Sequence, residues 1–232
     1  IAGMKIPAAL AAGNTVVVKP ANEAPLTILA LAEVMSRYVP RGVMNVVTGS
    51  GRLVGNAIVE HAGIAKVSFT GSTSVGQQVA QVAARRIAHF SLELGGKSPN
   101  IVFPSAADPA FLDTTITGVL QAMRFTRQGQ SCTAGSRLFV HESIYDDFLA
   151  RLQASARSLT VGDPLLEATD MGAIINETQY KTITDYIEEG RSQPGVDVIL
   201  DGSRFSPEGL DGFYQAPTIL SRVRNSWRIA QE

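Results

Sequence analysis

The chain has 232 residues, of which 45% are apolar and 18% charged, and its formal net charge is −1. That balance supports a sizeable core and excludes bulk disorder, and without a clustered basic stripe the electrostatic footprint of a nucleic-acid binder is missing. A lone cysteine excludes an internal disulfide and fits a reducing compartment; three scattered histidines (His61, His89, His141) lack metal-ligand spacing, and no apolar run is long enough to span a bilayer.

In chain order, Thr15 to Lys19 is a short β-branched run after Gly13-Asn14, as expected of a buried parallel strand. Pro20 and Pro25 punctuate a loop, and Thr27 to Tyr38 reads as a helix rich in Leu, Ala and Ile. Val43 to Val47 is the next strand, Gly51 to Glu60 a helix, and Lys66 to Phe69 a strand. A helix over Ser74 to Arg85 and a strand over His89 to Leu94 complete this half. Strand–helix–strand repetition at this spacing predicts a doubly wound parallel sheet covered by helices. Leu94 to Pro99 breaks the pattern and marks a domain boundary, with domains at 1–95 and 96–232.

Beyond it come a strand at Asn100 to Phe103, a helix around Asp108 to Met123 and an irregular stretch holding Cys132. Arg137 to Val140 is strand-like, Ile144 to Ser158 an amphipathic helix, Glu177 to Glu189 another helix, and Val196 to Leu200 a strand. Gly, Ser and Pro dominate 201–217, which reads as an exposed loop or hairpin. The chain starts at Ile1 and stops after Trp227 to Glu232 with no polar tail, so it reads as an internal piece of a longer protein.

Three segments could carry chemistry. Cys132 lies in Gly129-Gln130-Ser131-Cys132-Thr133-Ala134-Gly135, among small and polar residues that lack the apolar periodicity of a core position. A lone cysteine is ordinarily a small buried hydrophobe; these flanks favour an accessible thiol. Gly49-Ser50-Gly51-Arg52-Leu53-Val54-Gly55 and Gly71-Ser72-Thr73-Ser74-Val75-Gly76 each follow a strand and precede a helix, where backbone N–H groups suit an anion such as a pyrophosphate. Either turn alone is as consistent with an ordinary tight turn; two in one α/β half favour dinucleotide binding. Glu93 sits between Leu92 and Leu94, which share a face in a strand, so Glu93 points the other way. It is either a solvated residue on an edge strand or a partly buried general base beside the domain junction.

Taken together, Phe69-Thr70-Gly71-Ser72, Leu92 to Asn100 and the Cys132 segment closely resemble the aldehyde dehydrogenase superfamily. So does Pro7-Ala8-Ala9-Leu10-Ala11-Ala12-Gly13-Asn14 leading to Val18-Lys19-Pro20, and the match runs in order over the whole chain. The resemblance implies an α/β, aldehyde dehydrogenase-like fold: a doubly wound, Rossmann-like cofactor domain plus part of an α/β catalytic domain. It implies oxidation of an aldehyde to a carboxylic acid with NAD or NADP. Cys132 matches the nucleophile and Glu93 the base that activates water against the thioester. Cofactor contacts map to Lys19, Asn22, Gly51, Gly55, Phe69, Gly71, Ser72, Val75, Leu94 and Gly95; no metal is implied. Lys5 falls where many members carry a lysine implicated in proton transfer. The implied partners are a small aldehyde and further copies of the chain, as a cytoplasmic dimer or tetramer, with no nucleic acid and no membrane.

Departures from the family pattern matter. Asn22 and Glu23 stand where a glutamate often meets the adenosine ribose, which leaves NAD against NADP open. The oxyanion asparagine maps just upstream of Ile1, and the glutamate that holds the nicotinamide ribose just beyond Glu232. Losing an oxyanion donor costs roughly 10²–10³ in rate. The competing reading is therefore a truncated module that keeps the fold but is non-catalytic, or hydrolyses activated esters only. Arg124, Phe125 and Arg127 are open between lining a substrate tunnel and serving structure.

Overall fold

Helix α1, Ala2–Ala11, opens the computed structural model, which describes residues 1–202 and 207–232. Sequence periodicity does not announce it, because Gly3 and Pro7 are poor helix formers. Tertiary contacts hold it instead: Ile6 is buried and the Lys5 ammonium donates to Thr70 Oγ1 at 2.7 Å. The chain divides into two compact units, Ile1–Gly95 and Gly96–Glu232.

The first unit is built from two strand–helix–strand pieces. Strand β1 (Val16–Val18), helix α2 (Leu26–Met35) and strand β2 (Met44–Val46) form one, with β1 and β2 parallel and Val17 opposite Asn45. The stretch predicted as a helix from Gly51 to Glu60 begins as a π-helical turn, Gly51–Gly55, and continues as α3, Asn56–Glu60. Strand β3 (Lys66–Thr70), helix α4 (Thr73–Arg85) and strand β4 (His89–Glu93) form the other piece, parallel with Phe69 opposite Leu92 and Thr70 opposite Glu93. Its core is thin. Val59, Val67 and Val79 form the buried cluster, with Ile64, Phe69, Val82 and Leu92 packed around them.

The second unit repeats the motif once, as β5 (Pro99–Val102), α5 (Leu112–Met123) and β6 (Arg137–Val140), with the two strands parallel. The helix predicted from about Asp108 starts at Leu112, after a 3₁₀ turn at Pro104–Ala107. Helices α6 (Tyr145–Arg157) and α7 (Glu177–Arg191) follow. Strand β7 (Asp197–Leu200) pairs antiparallel with β8 (Ile219–Ser221), and α8 (Arg228–Gln231) ends the chain. Of the loop predicted over 201–217, residues 203–206 lie outside the described residues.

Spacing explains this unit's core. Leu112, Ile116 and Val119 line one face of α5; Phe148, Leu152 and Ala156 line one face of α6, each at helical intervals. They close on Val102, Leu200 and Ile219, with Phe148 and Leu152 almost wholly excluded from solvent.

The α/β class with parallel strands predicted from the sequence is what the fold shows. Among the described residues the strands pair two by two, three pairs parallel and one antiparallel. The strands run only three to five residues, and the antiparallel pair depends on β8, which carries too short an apolar run to stand out. No described helix is long and apolar enough to cross a membrane.

Candidate active site

In parallel α/β units ligands bind beyond the carboxyl ends of the strands, and each candidate in the first unit lies at such an end. Lys19 follows β1. Its ammonium donates to the carbonyls of Pro20 (2.6 Å) and Gly49 (3.2 Å) and to Asn22 Oδ1 (3.4 Å). The end of β1 is thereby tied to the turn after β2. Ser50 caps that turn by accepting from the Leu53 N–H at 3.2 Å. Gly49, which the sequence reading did not single out as a contact, adopts φ +138°, and a Cβ there would sit 2.6 Å from Val54 Cγ2. Gly51 differs: a Cβ at this position would meet no heavy atom within 4 Å, and one at Gly55 only the Lys19 stem, at 3.9 Å. The chain's own packing demands glycine at 49 and not at 51.

The second turn, after β3, is more tightly built. The Phe69 ring lies across Gly71, where a Cβ would come within 2.5 Å of ring carbon Cζ. The Gly71 N–H donates to the Glu93 carbonyl at 3.1 Å, joining the turn to the end of β4. Ser72 caps α4, its hydroxyl accepting from the Val75 N–H at 3.4 Å. Gly76 on the same helix leaves room for Leu94, whose Cδ2 would lie 2.5 Å from any Cβ there. Phe69, Gly71, Ser72, Val75, Leu94 and Glu93 therefore come together at one helix N-terminus, with no acidic side chain in its first turn. Gly95 follows with open space around it.

Leu92 packs on the valine cluster, and Glu93 faces away from it and is exposed. The partial burial offered for this carboxylate is not found: among the described residues β4 pairs only with β3, and Glu93, at its end, is exposed. Its neighbour across the strand pair is Thr70, which accepts from Lys5. Desolvation holds the Lys5 ammonium below the ordinary lysine value, and the Glu93 carboxylate opposes that shift.

In the second unit Cys132 is exposed, which removes the buried-hydrophobe reading of the thiol. Its segment is irregular. Arg124 (φ +62°) ends α5 in the left-handed conformation, a 3₁₀ turn covers Phe125–Arg127, and Gln128 (φ +51°) and Gly129 (φ +69°) turn the chain again. Beyond the sulfur, the Gly135 N–H donates to the Ala122 carbonyl at 2.7 Å, and Asn100 Cβ would lie 3.1 Å from a Cβ on Gly135. A Cβ on Gly96 would come 4.0 Å from the Cys132 carbonyl oxygen. Phe125 packs against the core, Arg124 is half-buried and Arg127 is exposed.

The histidines have local roles or none. His61 Nδ1 accepts from the Gly63 N–H at 3.0 Å and His141 Nδ1 from the Ser143 N–H at 3.2 Å, while His89 is exposed.

Comparison with known proteins decides the family, since the profile of the aldehyde dehydrogenase family matches residues 1–232. The chain belongs to the aldehyde dehydrogenase family. Aldehyde dehydrogenase B of Escherichia coli K12 is 44% identical over 236 residues, a match that covers all of this chain and 45% of that protein. The betaine aldehyde dehydrogenase of Staphylococcus aureus, solved with NAD+, superposes with a TM-score of 0.92 at 33% identity, over 100% of this chain and 45% of that one. An NAD+ complex of an aldehyde dehydrogenase from Bacillus cereus gives 0.90 at 38% identity, over 98% and 45%. This aldehyde dehydrogenase chain thus spans about half the length of the relatives it matches.

Proposed function

We propose that the protein oxidises an aldehyde to a carboxylic acid with NAD or NADP, through a covalent adduct on Cys132. The exposed thiol in an irregular, glycine-flanked turn of an aldehyde dehydrogenase chain is the observation that carries this reading. We assign the unit 1–95 to dinucleotide binding and the unit 96–232 to catalysis.

The residues present fit a nicotinamide dinucleotide. The α4 N-terminus offers backbone N–H groups and positive dipole to a phosphate beside Ser72. Gly51 carries no side chain although nothing in the chain would obstruct one, which leaves close approach of a ligand as its use. Lys19 and Asn22, already side by side, are suited to the hydroxyls of a ribose. The solved relatives bound to NAD+ support the same assignment. Once bound, the nicotinamide supplies the hydride acceptor.

The chain's own groups do the rest. The Cys132 thiolate forms a C–S bond to the aldehyde carbon, and the carbonyl π pair moves to oxygen, giving a thiohemiacetal alkoxide. Loss of hydride from that carbon restores the carbonyl as a thioester. Glu93 takes a proton from water, the resulting hydroxide attacks the thioester carbon, and the C–S bond breaks to release the acid and regenerate the thiolate. Exposure of Glu93 suits this role, because the carboxylate must reach water. The turn around Cys132 supplies its own backbone N–H as one oxyanion donor.

We assign the working enzyme to the cytoplasm as a homo-oligomer, in keeping with its lone free thiol. The test uses full-length protein with a panel of aliphatic, aromatic and amino-aldehydes, following NADH or NADPH formation. Aldehyde-dependent reduction that vanishes in Cys132→Ala supports the mechanism. Undiminished turnover by Cys132→Ala sinks it.

A further inference from the structure

Three residues in the six from Arg124 to Gly129 hold left-handed backbone, and two of them, Arg124 and Gln128, are not glycine. Such conformations are costly for a residue with a Cβ and persist only where surrounding structure over-determines them. Gln128 carries its own restraint. With its amide oriented to satisfy both ends, the side-chain oxygen accepts from the Gly172 N–H at 2.9 Å and the nitrogen donates to the Arg127 carbonyl at 3.1 Å.

Gly172 is a firm abutment. It is buried, follows the buried Met171, and belongs to a loop laced by backbone bonds from Met171 N–H to Thr160 O and from Gly162 N–H to Met171 O, each 3.0 Å. A Cβ on Gly172 would lie 3.1 Å from Pro164 Cβ, so glycine lets the loop close on Pro164, and the same Cβ would be in ordinary contact with the Gln128 amide at 3.5 Å. The tie spans a long separation in sequence and fastens the chain four residues before the thiol.

We infer that Gln128 is a positioning residue for the nucleophile: its amide pins the left-handed turn before Cys132 to the Gly172 loop and so sets where the thiol stands. The inference rests on the reading of Cys132 as nucleophile. It follows from geometry in which the restrained turn and the thiol share one short segment with few other side-chain ties. Around the sulfur itself, the Ser131 and Thr133 hydroxyls bond to each other and the Thr133 N–H donates to Ser131 Oγ, local ties that leave the turn as the attachment before the thiol, with the Gly135 N–H to Ala122 carbonyl bond as the one beyond it.

The experiment uses full-length protein carrying Gln128→Met, Gly172→Ala or both, beside Cys132→Ala. Gln128→Met keeps length and removes both bonds; Gly172→Ala brings a methyl against Pro164 Cβ and so shifts the loop whose N–H the amide accepts from. The expected result is a fall in kcat of about 10–100-fold in Gln128→Met, with KM for aldehyde and cofactor within about threefold. The double variant should be little worse than the poorer single one, as for two changes that break one contact. The cofactor-free rate of Cys132 alkylation by iodoacetamide should change with kcat. Should Gln128→Met fail to fold, Gly172→Ala carries the same expectation alone. Unchanged kcat and alkylation in folded variants overturn the inference, as does full additivity of the two changes. If Cys132→Ala retains activity, the nucleophile assignment fails instead, and the two failures are told apart.

Discussion

The two turns of the first unit and the cysteine turn of the second are both short, irregular and glycine-bearing, yet they are held in opposite ways. At Gly71 and Gly76 the glycines are required by neighbours: the Phe69 ring and the Leu94 side chain occupy the space a Cβ would take. That turn is shaped from outside by packing, over a buried cluster of three valines, and in the other turn Gly49 is likewise shut in by Val54 while Gly51 stands open. The cysteine turn stands next to a nine-residue core built on Phe148 and Leu152, but strain and hydrogen bonds shape it, with two non-glycine residues at positive φ. A surface that binds a long, flexible ligand can be made from open helix and strand ends. The role proposed for Cys132 asks for more, since a nucleophile must be held within a fraction of an ångström, which requires stiffer ground.

Substitutions can break or sharpen that contrast. The largest effect is expected at the thiol, where Cys132→Ala should lower aldehyde oxidation by full-length enzyme more than about 10³-fold while the melting temperature barely moves. Glu93→Gln should reduce steady-state turnover by about 10²–10⁴-fold yet leave an initial burst of reduced nucleotide, detectable by stopped-flow absorbance. Loss of the burst as well would assign Glu93 to an earlier step.

Stability separates the units next. Phe148→Ala in the thick core should cost about 3–5 kcal/mol, measured by denaturant unfolding. Gly71→Ala should cost about 1–3 kcal/mol, because it drives a methyl into the Phe69 ring, and nucleotide affinity should fall with it. Gly51→Ala is the control: stability should stay within about 0.5 kcal/mol while nucleotide affinity drops, as read by titration calorimetry. Unaltered affinity there would remove the first turn from the cofactor site.

The smallest effect is at the carboxyl end. The Arg228 guanidinium bonds to Glu232 and Glu189, each at 2.9 Å, and Tyr186 donates to Glu232 at 3.1 Å. These hydrogen bonds, that from Arg228 foremost, hold the Glu232 carboxyl below the usual carboxylate value. A depressed acid contributes stability above its unfolded pKa and loses it as pH falls through the folded one. Amide exchange in 228–232 should therefore be slow near neutrality and accelerate only at distinctly acid pH, and salt should blunt the difference because the pairs are exposed. Exchange independent of pH after correction for its intrinsic rate would refute the tie.

How much was legible beforehand varied with the kind of signal. Runs such as Val16–Val18 and Lys66–Thr70 and the apolar faces of α5 and α6 announce themselves, since period and β-branching are local properties. The family motifs around Glu93 and Cys132 were equally plain. By contrast, α1 was hidden by Gly3 and Pro7, and β8 by its three-residue length. The role of Gly76 depends on Leu94, and that of Gly172 on Gln128, pairs that no local window contains.

Sequence by itself thus determined the α/β class and the family and supplied the residues proposed to bear chemistry, because each is written in residue type and short-range spacing. Only the tertiary structure decided that Glu93 is exposed, that the described strands meet two by two, and that the Gln128 amide reaches the Gly172 backbone. Exposure, pairing and long-range hydrogen bonds depend on what the folded chain brings near a residue, and that information is spread over the whole of it.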